Sequence, residues 1–216
     1  MDVIAVGTGK ALKFGENGDV DVVLVHAREA EQQFMDSGHG ARREDVMFNH
    51  FEILGPPSDP ARIRGLGAVE ALAKIAAGRH DFISRGDDSG THRRERSLWD
   101  QAGGLPEWSE YVEAGQGMGA TLVMANQMRA YTLADRGTYL AFNDRIDLQP
   151  LAASGENLLN PYGVLAVNPA KHSGINHDLA DRFIDFLISA EAQTLIRDFR
   201  IAGEPLFQPR HLSEVE

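Results

Sequence analysis

Residues 84–91 read Ser84-Arg85-Gly86-Asp87-Asp88-Ser89-Gly90-Thr91, between a short apolar run, Asp81-Phe82-Ile83, and a segment with helical spacing that begins near His92. A strand that delivers an arginine into a hydroxyl-rich, glycine-containing turn at the start of a helix suits a small oxyanion. The first turn of a helix leaves backbone N–H groups without partners and places about half a positive charge there. Arg85 adds a full charge and can fork two hydrogen bonds, while Ser89, Gly90 and Thr91 offer hydroxyls and amides. A plainer alternative uses the same residues: Ser89 caps the helix and Arg85 pairs with Asp87 or Asp88. A third, exposure of Arg85-Gly86-Asp87 as a cell-adhesion tripeptide, rests on a three-residue match that chance supplies easily.

Two further segments repeat the design of a glycine turn feeding a helix: Gly7-Thr8-Gly9, and Gly117-Met118-Gly119 within Ala114-Gly115-Gln116-Gly117-Met118-Gly119-Ala120-Thr121-Leu122. In open α/β sheets ligands lie beyond the carboxyl ends of the strands, so the three turns are expected to converge on one spot. Gly9-Lys10 invites comparison with a phosphate loop. The pattern requires a glycine five residues before Gly9 and Ser or Thr after Lys10, and the chain has Ile4 and Ala11 there. The turn can equally serve tight packing of helix on strand. Ser89, His92 and Asp87 could be assembled into a nucleophilic trio on paper, but no Gly-x-Ser-x-Gly elbow surrounds the serine. The eight histidines include no His-Glu-x-x-His and no pair at i, i+4, which argues against a catalytic zinc site. Trp99, Trp108 and Tyr111 are read as packing residues.

The elements that would position these turns alternate. Residues 2–6 read as a strand, 8–16 as a helix, and 21–25 as a continuous apolar strand of the kind buried on both faces of a parallel sheet, together a βαβ unit. Helical spacing covers 27–37, and 51–54 reads as a strand, ended by Gly55-Pro56-Pro57-Ser58-Asp59-Pro60. Beyond it come a helix over 67–77, the strand and turn described above, a helix over 92–102, and the glycine turn at 114–122 with its helix. Short strands at 130–133 and 146–148 flank a helix near 135–141. Residues 162–167 form a buried strand, and 176–200 two helices meeting near Ser189. Such alternation specifies an α/β protein.

The totals exclude several partners. The 216 residues carry 21 basic against 32 acidic side chains, a net charge of −11. That disfavours non-specific nucleic-acid binding and anionic membrane surfaces, so an anion site must be locally positive inside an acidic protein. Apolar residues at 43% and charged residues at 25% are ordinary for a folded domain. The absence of cysteine removes disulfides, thiolate metal sites and cysteine nucleophiles together. No apolar stretch approaches the roughly 20 residues that span a bilayer, and neither a signal peptide nor an anchor is expected in the chain as written.

With these segments in hand, the chain resembles the tungstate-binding components of bacterial ABC transporters, in the type II periplasmic-binding-protein class. The resemblance rests on Val6-Gly7-Thr8-Gly9-Lys10-Ala11-Leu12, Gly15-Glu16-Asn17-Gly18-Asp19, Asp21-Val22-Val23-Leu24-Val25-His26-Ala27, Val46-Met47-Phe48-Asn49-His50-Phe51, Ser84 through His92, Glu113 through Leu122, Tyr131-Thr132-Leu133 and Asp135-Arg136-Gly137-Thr138-Tyr139. It implies an α/β fold of two lobes, 1–52 with 165–216 and 53–164, joined by crossover strands near 51–55 and 162–167 that act as hinges. It implies a non-enzymatic, periplasmic or extracytoplasmic protein that captures tungstate or a related tetrahedral oxyanion for a membrane permease, with no cofactor and no metal. Thr8 and Gly9 would act from the first lobe, and Ser84, Arg85, Ser89, Gly90, Thr91, Gly117 and Met118 from the second. Arg85-x-Asp87-x-Ser89-Gly90-Thr91 also looks like the anion-cradling turn of phosphate-binding proteins of this class. Tungstate has no proton to donate at neutral pH, so a site made only of donors suits it. Members of the family begin with a signal peptide and a strand ending in a Thr/Ser-rich turn, whereas this sequence starts after that segment. Weak binding, or a need for the missing strand, is therefore expected. The alternatives carried forward are the sensor domain of a regulator, a transport protein for phosphate, molybdate or sulfate, and an enzyme.

Overall fold

A computed structural model of the chain describes residues 1–105 and 107–212. The chain separates into two compact units, the first made of Met1–Asn49, Asn160–Arg200 and the segment from Pro205 onward, the second of His50–Leu159 with Ile201–Glu204.

Unit 1 opens with α1 (Thr8–Asn17), β1 (Val22–Val25), α2 (Arg28–Asp36) and the first part of β2 (Gly40–Gly55). In unit 2 follow the end of β2, α3 (Ala68–Gly78), β3 (Phe82–Ser84), α4 (Gly90–Gln101), β4 (Tyr111–Glu113), α5 (Met118–Met128), β5 (Thr132–Asp135), α6 (Arg136–Phe142) and β6 (Gln149–Pro150). A single 3-10 turn at Glu156–Leu158 leads into β7 (Leu159–Val167), which returns the chain to unit 1 and to α7 (His177–Ile188) and α8 (Ala190–Asp198). The two-residue strands β8 (Arg200–Ile201), β9 (Glu204–Pro205) and β10 (Gln208–Pro209) close the sequence of elements.

The sheet of unit 1 runs β1-β7-β2-β10. β7 is buried on both faces: Leu165 and Val167 join Leu12, Val23, Val25 and Phe34 on one side, and Val164 and Ala166 join Val46, Ala180 and Ile184 on the other. β1 differs from its expected role. It is an edge strand, antiparallel to β7 from Val22 opposite Ala166 to Val25 opposite Gly163, with Val23 and Val25 inward and Leu24 44% exposed. Residues 2–6 form no strand, and Val3 and Ile4 are exposed, so the βαβ unit expected at the start is not built. Strand propensity without a ladder partner leaves the segment extended but unpaired. β2 is far longer than the apolar run 51–54 suggests, because its charged half is paired: Arg43 reaches Glu31 at 2.6 and 2.9 Å and Asp45 at 2.8 Å. Helices α7 and α8 do meet at Ser189, whose Oγ accepts the Ala192 amide at 3.3 Å and starts the second helix.

In unit 2, β3 and β4 are parallel, Phe82 opposite Tyr111 and Ser84 opposite Glu113, while β2 pairs antiparallel with β5 and β6. Consecutive residues of β3 serve two cores. Phe82 packs with Ile53, Leu72, Leu98, Trp99 and Tyr131, and Ile83 with Leu54, Met118, Leu122 and Ala125, as the alternation of a strand requires. Ile146 and Leu148 are buried but lie outside any ladder; pairing begins only at Gln149. Trp99, Trp108, Tyr111 and Phe82 form one aromatic cluster with ring centroids 5.1 to 6.2 Å apart. Among the described residues no helix is long and apolar enough to cross a membrane.

Candidate functional site

Because β3 and β4 run parallel and end in register, the turns that follow them leave unit 2 at the same edge, each opening a helix. The two turns touch. The Ala114 amide donates to the Ser84 carbonyl at 2.9 Å, and a Cβ added to Gly86 would stand 2.7 Å from Cβ of Glu113 and 3.3 Å from the amide nitrogen of Gly115. Gly86 has φ +65° and Gly115 +62°, a backbone region open to glycine at little cost. Of the three glycine turns singled out in the sequence, these two are brought together. The third, at Gly7-Thr8-Gly9, belongs to unit 1, where Gly7 caps α1 without any side-chain hydrogen bond and Lys10 lies over the ring of Phe14.

Within the first turn, Arg85 Nε donates to Asp87 Oδ2 at 2.8 Å, and Asp87 Oδ1 accepts the Ser89 amide at 3.1 Å. Burial opposes ionisation of Asp87, but the hydroxyl and amide of Ser89 and the charge of Arg85 hold its carboxyl below the ordinary value. Ser89 Oγ accepts the His92 amide at 3.3 Å and caps α4, which therefore starts at Gly90 instead of His92. Both contacts of the plainer alternative are thus present. They do not exhaust the donors: Arg85 uses only Nε, and among the described residues its two Nη groups have no partner. The first-turn amides of Gly90 and Thr91 have no intrahelical acceptor, and α5 begins at Met118 with Gly117 as a cap that has no side chain to satisfy its amides. Thr91 is buried, and Thr121 Oγ1 donates to the Gly117 carbonyl at 3.2 Å. Replacing Ser89 by alanine should lower stability by about 1 kcal/mol, the usual scale of a lost N-cap, read as a lower midpoint in denaturant titration with unchanged slope.

His92 Nδ1 accepts the Asp88 amide at 3.0 Å, and Nε2 lies 3.6 Å from Glu113 Oε1, so neither ring nitrogen is presented to Ser89 Oγ as a base. Arg85 and Asp87 are paired with each other, and Gly86 between them packs on Glu113, so the tripeptide is folded inward. Among the described residues no group of three His, Cys, Asp or Glu side chains could hold a metal ion.

Ser84, the last residue of β3, points into the interior of unit 2. It is fully buried, and its hydroxyl lies beside Glu95 and Tyr111 in the interior, without a partner at hydrogen-bond geometry. Glu95 is the functional candidate that reading the sequence for donors overlooks. Its side chain is wholly inside unit 2, with Oε1 receiving Tyr111 Oη at 2.9 Å and Trp99 Nε1 at 3.3 Å and Oε2 receiving nothing. Burial pushes its carboxyl up to about 7 against the pull of Ser84, Tyr111, Trp99 and the Arg85 amide. Burial first, and then the neighbouring Glu95, push the Tyr111 hydroxyl up as well. The signal was available in the spacing: the buried residues of α4 are Thr91, His92, Glu95, Leu98 and Trp99, one stripe with a carboxyl in its middle.

The chain is a two-unit α/β protein, and its residues 1–191 match the family model described as PBP superfamily domain. The relatives narrow the class. The chain is 46% identical over 96% of its length to the tungstate-binding protein TupA of Peptoclostridium acidaminophilum, of which it spans 74%. Its fold matches the solved structure of the tungstate-binding protein TupA from Desulfovibrio alaskensis G20 with a TM-score of 0.90 at 44% identity, covering 97% of this chain and 86% of that one. The chain belongs to the PBP superfamily and, within it, to the family of the TupA proteins. It is also 49% identical, over 99% of its length, to a Haloferax volcanii protein named for anion binding by an ABC transporter, and it spans 64% of that relative's length.

Proposed function

We propose that this chain is the solute-binding protein of an ABC transporter, that it captures tungstate outside the cytoplasm, and that it passes the anion to a membrane permease. The observation that supports the reading most strongly is the contact between the turns that open α4 and α5, which sets two helix starts and the free Nη groups of Arg85 at one edge of unit 2. In the proposed site the anion takes hydrogen bonds from Arg85, from the hydroxyls of Ser89 and Thr91, and from the amides at Gly90, Gly117 and Met118, with Ser84 supporting the turn from inside. Thr8 and Gly9 stand at the start of α1 in unit 1, which also has no side-chain cap. No step of this function requires a cofactor. It requires only differential affinity of the protein for the anion over water.

The test is calorimetric titration of the purified chain with tungstate, molybdate, sulfate and phosphate at pH 7.5. Saturable one-to-one binding of tungstate, with phosphate at least a hundredfold weaker, supports the reading; no heat with any of the four removes it.

A further inference from the structure

The carboxyl of Glu95 lies directly behind the turn that carries Arg85. Ser84 and the backbone amide of Arg85 are its neighbours from the end of β3, Tyr111 reaches it from β4, and Trp99 from one turn along its own helix. Two polar atoms of this neighbourhood are buried without partners, Glu95 Oε2 and Ser84 Oγ, and Ser84 borders the carboxyl. Among the described residues no salt bridge engages this carboxyl, and the guanidinium of Arg85 at the end of β3 is paired with Asp87. An ionised carboxylate here would be an uncompensated charge in the interior. A proton on the carboxyl removes that charge, with the hydroxyl of Ser84 among its neighbours.

We propose that Glu95 carries a proton whenever an oxyanion is bound, so that anion capture and proton uptake at this carboxyl are one linked event. The idea rests on the reading of the Arg85 turn as the anion site and adds its regulation. The physical reason is repulsion: a dianion held at Arg85 faces any negative charge on Glu95 through one layer of backbone, where water screens poorly. Linkage then fixes the sign. Below the pKa of the free protein, about 7, Glu95 is already neutral and affinity is at its plateau. Above it, binding must first return the proton, and affinity falls by up to about tenfold per pH unit. The other titratable groups near this edge are Tyr111, which stays neutral across this range, Asp87 with Arg85, and His92 facing Glu113 at 3.6 Å. His92 is retained in the variant below.

The experiment is the tungstate affinity of wild type and Glu95→Gln from pH 7 to pH 9. Wild type is expected to lose about tenfold between pH 7.5 and 8.5, and Glu95→Gln, permanently neutral, to hold its pH 7 affinity throughout. A flat wild-type profile, or the same slope in both proteins, overturns the proposal while leaving the anion site in place. Absence of tungstate binding at every pH overturns the site and the proposal with it. Should the variant fail to fold, calorimetry of wild type at pH 8 in two buffers of different ionisation enthalpy decides: uptake approaching one proton per anion supports the linkage, and zero uptake ends it.

Discussion

Replacing Arg85 by alanine is expected to weaken tungstate binding by a hundredfold to a thousandfold with the fold intact, a loss of about 3–4 kcal/mol on the scale of removing one partner of a desolvated charge pair. Two effects add. The anion loses the only guanidinium of the turn, whose Nη groups are unengaged, and Asp87 loses the charge that neutralises it 2.8 Å away. Asp87 would then confront the anion as a bare carboxylate, held below its ordinary pKa still by the Ser89 hydroxyl and amide. Arg85→Lys separates these effects, because lysine restores the charge without the planar fork; it should recover about a tenth to a half of the lost binding free energy. The side chain is 22% exposed and outside the hydrophobic clusters, so the unfolding midpoint should move little. Titration calorimetry gives the affinities, and circular dichroism of the same samples checks the fold. Affinity within threefold of wild type would remove Arg85 from the site.

The second large effect is expected at Gly86. Alanine there must accept φ +65° and place its Cβ 2.7 Å from Cβ of Glu113 and 3.2 Å from its Cα, neither of which is the free end of a flexible side chain. Left-handed backbone costs about 1 kcal/mol for alanine, and forcing apart packed backbone adds about 1–3 kcal/mol. Gly86→Ala should therefore lose about 2–4 kcal/mol of stability and, by separating the α4 and α5 starts, at least tenfold in tungstate affinity. Gly115→Ala is the control. It shares the positive φ but its Cβ would meet nothing within 4 Å, so only the backbone term of about 1 kcal/mol remains. Equal effects of the two substitutions would show that the contact between the turns does not matter.

Much of the fold could be read from residue spacing because the elements concerned are stabilised by their own patterns. Glycine or serine caps the starts of α1, α4, α5 and α8 and the ends of α1 and α7, where capping chemistry puts them. The misreadings share one cause, that pairing partners are not written in the local sequence. Asp2 to Val6 has the composition of a strand but nothing to pair with. β1 looks buried on both faces, yet among the described residues it pairs with β7 alone and Leu24 faces outward. The Arg42 to Asp45 half of β2 lies outside the apolar run that marks the strand, and there Arg43 pairs with Glu31 from α2. The site divides in the same way. Donor types at helix starts are local and were legible at Arg85, Ser89, Gly90, Thr91, Gly117 and Met118. What depends on tertiary register, namely the contact of Gly86 with Glu113, the inward turn of Ser84 and the burial of Glu95, emerges only when β3 is laid beside β4.

The most direct measurement is a crystal structure of this chain grown with tungstate, in which the anomalous signal of tungsten locates the anion without reference to any assumed site. The expected result is one strong peak within hydrogen-bonding reach of the Arg85 guanidinium and the first-turn amides of α4 and α5. A peak centred on other residues, or a protein saturated with tungstate in solution whose Arg85 turn holds no tungsten, would contradict the assignment.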